Sequence, residues 1–277
     1  MKVEYLSNHV LEQLGERERE ARTAATALSE VEREQRGAYV ALAKAKRSKP
    51  WWRRLLRLGT RDVRAARRRL AAADQAVRRA LGGVDKARVR VEQQAAGAEG
   101  EDLLARGLSG LSGDWVMLRG YRNKRGETDH LLVGPLGVWA VEVKRRAVRV
   151  HIKGEDWGFE KFDRYGNVVE KGIAADRTGR SWARQVTDVA DDLGAWLRRN
   201  SVDVPIHTAV VIVHERAEVG RVIRPTVDVV ETDPRRLLAE IKSRPRSLTD
   251  GQRSEVLRLI RRDHKHHEER RRNRRTR

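Results

Sequence analysis

GETDHLLVGPLGVWAVEVKRR, residues 126–146, is the stretch from which the fold is read. Two apolar runs, 128–135 and 138–146, flank Gly134-Pro135-Leu136-Gly137, a turn signal, and so read as paired strands. Alternation along the second run puts Trp139, Val141 and Val143 on one face and Ala140, Glu142 and Lys144 on the other. The first face has a core to fill. The second carries a carboxylate and an ammonium, and needs a chemical reason. Hairpin pairing brings Asp129, near the start of the first strand, beside Glu142. Two carboxylates at one point repel, and each raises the pKa of the other. A divalent cation removes that penalty, and Mg²⁺ takes a few carboxylates, waters and a phosphate oxygen. Lys144 then stands beside the ion, able to orient or help deprotonate a water and to stabilise developing negative charge.

Working outward, DWVMLRGY (114–121) is a third strand, joined to the first through the turn-like Asn123-Lys124-Arg125-Gly126. A helix is expected over 100–111, with Leu103, Leu104 and Leu108 on its apolar side. Another spans 180–199, with Trp182, Val186, Val189, Leu193 and Trp196 on one side. Strands follow at 204–215 and 227–231, and Asp233-Pro234 opens a further helix. The order helix, three strands, helix, two strands, helix describes an α/β core with a mixed sheet. The polar stretch 154–179 finds no place in it.

The flanks differ in pattern and charge. Ala21, Ala24, Leu28, Val31, Gln35, Ala38, Leu42 and Ala45 keep a three-four spacing, as do Val63, Ala66, Leu70, Ala73, Val77, Ala80, Val84, Ala87 and Val91. Such seams predict two long helices, here an antiparallel coiled-coil hairpin. Pro50 breaks the pattern between them, and Thr60 offers an N-cap. Gly82-Gly83 is the weak point of the second helix. Of the 277 residues, 60 are Lys or Arg and 40 Asp or Glu, a net charge of +20. Residues 1–100 carry +10, 101–241 only +1, and 242–277 +9. Three parts follow: a basic helical hairpin over 1–97 with its tip near 48–60, a charge-balanced domain over 98–245, and a basic tail over 246–277. The tail opens with a helix capped at Ser247, and its last dozen residues read as disordered. His264, His266 and His267 then belong to a solvated tail rather than to a zinc site. His130 points away from Asp129 and reads as structural.

Composition excludes several classes. With no cysteine there is no disulfide scaffold, thiolate metal site or cysteine nucleophile. No run approaches the roughly 20 apolar residues that span a bilayer. MKVEYLSNHVLEQLGERERE lacks an apolar signal core, so the expectation is a cytoplasmic protein with an anionic partner. Around the tip, SKPWWRRLLRLGTRDVRAARRRL (48–70) offers Arg53, Arg54, Arg57, Arg61, Arg64, Arg67 and Arg68 to nucleic-acid phosphates. Contact of Trp51 and Trp52 with a membrane surface is a competing use. The seam equally suits a homodimer or a coiled-coil partner.

Taken in order, GEDLLARGL (100–108), DWVMLRGY, ETDHLLVGPLGVWAVEVK, Trp157, Gln185 in SWARQV and TAVVIVHE (208–215) resemble the nuclease-related domain (NERD) branch of the PD-(D/E)xK nuclease superfamily. The resemblance covers roughly 99–241, and the residue before Asp129 is Thr128 rather than proline. It implies a restriction-endonuclease-like mixed sheet flanked by helices. It also implies Mg²⁺- or Mn²⁺-dependent hydrolysis of a phosphodiester bond in nucleic acid, DNA foremost. Asp129 and Glu142 match the metal-binding carboxylates, Glu101 an additional acidic ligand, Lys144 the catalytic lysine, and Gln185 a helix glutamine of resolvase-like members. The rival reading is a non-catalytic adaptor, binding nucleic acid or a membrane surface through a degenerate nuclease fold.

Overall fold

The structure, a computed structural model, describes residues 1–7, 9–48, 60–176 and 178–275. They form two compact units, Val10–Ala95 and Met1–His9 together with Ala96–Arg277. No helix among the described residues is long and apolar enough to cross a membrane.

The first unit is the hairpin. Helix α1 spans His9–Arg47, and helix α2 starts at Arg61, where Thr60 Oγ1 accepts the Val63 N–H (3.2 Å) as the cap. Every expected seam position is buried or half-buried, and Leu42, Val63 and Ala66 are buried together. Gln35 donates to Asp74 (2.7 Å), and Arg90 lies 3.8 Å from Glu20. Late α1 thus meets early α2 and early α1 meets later α2, which is antiparallel pairing. Pro50, Trp51, Trp52, Arg53, Arg54 and Arg57 lie outside the described residues. Arg61, Arg64, Arg67 and Arg68 are exposed on α2.

Methyl groups built on Gly82 and Gly83 would meet nothing within 4 Å. Each Gly→Ala change should therefore stabilise the hairpin by about 0.5–1 kcal/mol, through helix propensity alone. Urea unfolding of the double variant checks this; a midpoint at or below the parent's refutes it.

Helix α2 runs unbroken from Arg61 to Gly107, so the helix expected at 100–111 is its last turns. The intervening EQQAAGAE is rich in helix formers, and isolated glycines do not stop it. Gly100 serves packing instead. An added Cβ would sit 3.2–3.4 Å from Val213, Arg145 and Val143, so glycine lets α2 lie close on the sheet.

The main sheet of the second unit has the order β1-β2-β3-β4-β8-β10, numbering ten strands in chain order. These are β1 (Lys2–Tyr5), β2 (Val116–Asn123), β3 (Gly126–Gly134), β4 (Gly137–Lys144), β8 (Ile206–Ile212) and β10 (Val229–Glu231). β2, β3 and β4 form the expected antiparallel meander, while β1, β8 and β10 pair in parallel. Gly134 pairs with Gly137 across the two-residue turn. Gly134 is obligatory, because the Trp115 ring would lie 2.1 Å from a Cβ there. One face packs Met117, Leu132, Trp139, Val141 and Val143 against the end of α2 and helix α4 (Pro234–Ser243). The other packs Leu131, Val138 and Ala140 against helix α3 (Trp182–Arg199) and helix α5 (Asp250–Arg275).

The stretch 154–179 belongs to a second sheet, of order β7-β6-β5-β9. Its strands are β5 (Val148–Lys153), β6 (Asp156–Phe162), β7 (Val168–Ile173) and β9 (Glu218–Ile223). Only Val148, Val150, Ile152, Trp157 and Phe159 of it enter the core.

The tail departs from expectation. Helix α5 continues to Arg275 and belongs to the second unit. It is capped by Thr249, not Ser247: Thr249 Oγ1 accepts from Gln252 N (3.3 Å) and Gln252 Oε1 accepts from Thr249 N (2.9 Å), a capping box. His264 is buried rather than solvated. Its Nδ1 accepts the Arg122 N–H (3.1 Å), which leaves Nε2 to donate to the Leu6 carbonyl (3.1 Å). Tyr121 donates to Asp263 (2.6 Å) one residue earlier. The apolar stripe Val256, Ile260 continues in polar residues that find partners, and these hold the helix down.

Candidate active site

Glu142 and Lys144 point from β4 toward α3, as strand alternation requires. His130 is paired with Val141 in the β3–β4 ladder, and one step beyond lies Asp129, opposite Glu142. Asp129 Oδ2 accepts the Val143 N–H (2.7 Å), which continues the hairpin with a side chain in place of a backbone carbonyl. Lys144 Nζ donates to Glu142 Oε1 (2.5 Å) and to Gln185 Oε1 (2.9 Å). Gln185 lies in the first turn of α3, where Ser181 caps the helix by accepting from Arg184 N (3.3 Å). The Gln185 amide in turn donates to the Arg180 carbonyl (3.2 Å), which fixes which end faces the lysine. Gln185 is thus buried and engaged with the site.

The electrostatics fit a site held in tension. Burial pushes the Asp129 carboxyl well above the usual range; Glu142 adds to the effect, and Lys144 opposes it. Burial alone would lower the Lys144 pKa, but Glu142 and Asp129 outweigh it, so the side chain stays an ammonium. Glu142 is 5% exposed, and its Oε2 is buried with no hydrogen-bond partner. An ionised oxygen left unpaired in a buried place is costly and calls for a cation or donor.

Glu101 reaches the site differently. It comes from α2 on the opposite face of the sheet, with its Oε2 4.0 Å from His130 Nε2. Burial raises its pKa to about 7; Arg119 opposes this, while Asp102, Glu142 and Glu127 add to it. His130 is fully buried, and burial followed by the nearby Arg119 charge lowers its pKa to about 3. It is therefore neutral. The sequence did not single out Arg119, which secures this side. It binds Asp102 Oδ1 through both terminal nitrogens (3.0 Å each), the Glu101 carbonyl (3.3 Å) and the Tyr5 hydroxyl (3.1 Å). A lone arginine in the apolar strand DWVMLRGY was the available signal.

Among the described residues no three His, Asp or Glu side chains gather as a metal cage. Two facing carboxylates, one with an unpartnered buried oxygen, nonetheless fit a hard cation that keeps most of its waters. A concavity of about 640 Å³ runs between α3 and the start of β8 and contains none of these residues.

No curated protein and no solved structure is significantly similar to the chain. One family model matches, over residues 96–213, and it describes a nuclease-related domain. The segment that carries Glu101, Asp129, Glu142, Lys144 and Gln185 thus matches the model of a nuclease-related domain (NERD).

Proposed function

We propose that the protein is a metal-dependent nuclease that hydrolyses phosphodiester bonds in nucleic acid, DNA foremost, with Asp129, Glu142 and Lys144 as its centre. The observation that carries this reading is the pairing of Asp129 with Glu142 beside a charged, doubly anchored Lys144, with Glu142 Oε2 left without a partner. Asp129 and Glu142 would hold Mg²⁺ or Mn²⁺, and Glu101 would support them from the far face of the sheet. When bound, the ion supplies neutralisation of the two carboxylates and a lowered pKa for a water.

The chain's own residues do the rest. Lys144 is an ammonium and so acts as a donor rather than a base. It can orient a water, and it can stabilise charge that grows on the phosphoryl oxygens. Gln185 holds the ammonium in position. The Val143 N–H keeps Asp129 aimed at the same point. Arg61, Arg64, Arg67 and Arg68 would add sequence-independent attraction to the phosphate backbone.

The test is a cleavage assay on plasmid, linear and single-stranded DNA and on RNA, with Mg²⁺, Mn²⁺ or EDTA. The parent is compared with Asp129→Ala. Cutting that needs metal and disappears in the variant supports the centre. Binding without cutting under either metal overturns it in favour of an adaptor.

A further inference from the structure

Beyond the ends of β4 and β8, two hollows of about 630 and 400 Å³ meet at Glu215. The segments that build the candidate centre also build these walls. The larger hollow takes Arg106 from the α2 turns after Glu101, Arg145 from beside Lys144, and His214. Val213, just before His214, donates its N–H to the Lys144 carbonyl (2.8 Å). The smaller hollow takes Arg164 from the turn between β6 and β7, and Arg216 from the segment after β8.

The charge on these walls is only partly committed. Arg145 is bound to Glu99 (3.0 Å) and Arg149 to Glu218 (2.8 Å). Asp233 caps α4, and Asp163 closes its own turn by accepting from Tyr165 and Asn167. Arg106, Arg164 and Arg216 are exposed and have no carboxylate partner among the described residues. Three guanidinium groups without a carboxylate partner, on three separate elements, do not converge on one small anion; Arg164 gives one N–H to the Tyr165 hydroxyl (2.5 Å) and keeps the others. They match a polyanion that passes all three. Arg164 also lies over the Tyr165 ring, 4.6 Å from its centroid, and Tyr165 is 73% exposed. An exposed aromatic ring beside a basic track is how single strands are held without sequence preference.

We propose that the two hollows hold a nucleic-acid single strand, with Arg106, Arg216 and Arg164 on its phosphates and Tyr165 against a base. This rests on the nuclease reading for the class of ligand, yet its test needs no cleavage. The full chain, in EDTA, is titrated against a fluorescein-labelled 30-nucleotide single-stranded DNA over a series of KCl concentrations. Each phosphate contact removed should lower the slope of log affinity against log salt by about 1. The triple variant Arg106→Ala/Arg164→Ala/Arg216→Ala should therefore lose a slope of about 2–3 and bind at least about tenfold more weakly at 150 mM salt. Arg216→Lys should keep the slope, and Tyr165→Ala should weaken binding severalfold with the slope unchanged. All of these side chains are exposed, so matched melting midpoints confirm that the variants fold. An affinity and slope in the triple variant equal to the parent's overturns the track and leaves the cleavage test of the centre untouched.

Discussion

Lys144→Met should lower the turnover of metal-dependent cleavage by about 10²–10³-fold, the usual cost of removing one donor aimed at developing charge. Binding of nucleic acid in EDTA should change little. The argument starts from position: Nζ is held between Glu142 Oε1 at 2.5 Å and Gln185 Oε1 at 2.9 Å, and so has no freedom to drift from the two carboxylates. Lys144→Arg should not restore the rate. A guanidinium is longer and planar, and its fork does not fit a seat shaped for a compact ammonium. Gln185→Ala acts only through the lysine. It should cost about tenfold in turnover with KM unchanged, in keeping with a lost positioning contact. Parent-like turnover in Lys144→Met would reduce Lys144 to a structural counter-ion of Glu142.

Glu101→Gln should stabilise the metal-free protein by about 3 kcal/mol at pH 8 and by less than about 1 kcal/mol at pH 5. A folded pKa of about 7, against 4.5 for a free glutamate side chain, means that the folded protein holds this proton more tightly than the unfolded chain does. The penalty for ionising Glu101 is fully present above pH 7, shrinks as pH falls, and is gone below about 4.5. His130 works with the opposite sign. Its depressed folded pKa costs stability as pH falls from 6.5 toward about 3. Comparing variant with parent at each pH leaves the His130 contribution common to both. Urea unfolding in EDTA at the two pH values measures the difference. Equal effects at pH 5 and pH 8 would show that Glu101 is not held under tension.

What the sequence revealed follows from the physics of repetition. The seam from Ala21 to Ala45 recurs at a fixed period, and burial follows it position by position. The strand VWAVEVK shows its two faces because the core accepts only one kind of side chain. The placement of Asp129 beside Glu142 followed from a two-residue turn. The second sheet was hidden because β7 is exposed at nearly every position, so no alternation marks it. β1 has four residues and is defined by its parallel partner, which is far away in sequence. Burial of His264 was hidden because polar residues extend an apolar stripe only when partners exist, here the Arg122 N–H and the Leu6 carbonyl. Glu101 was legible only as a helix-borne carboxylate. Its approach over His130 depends on tertiary packing that no local pattern encodes.

The clamp that His264 places on Leu6 and Arg122 has a consequence for biosynthesis. Synthesis reaches β1 long before α5, so Glu4 waits for Arg261 and the Leu6 carbonyl for His264, partners separated by 257 and 258 residues. The α1–α2 hairpin, built from nearer contacts, can form while the ribosome is still working. Until α5 emerges those partners are missing, and the strand Lys2–Tyr5 rests on its pairing with β2 alone. Its only apolar residues are Val3 and Tyr5, set between Lys2 and Glu4, a composition that keeps an unpaired edge from recruiting neighbouring chains.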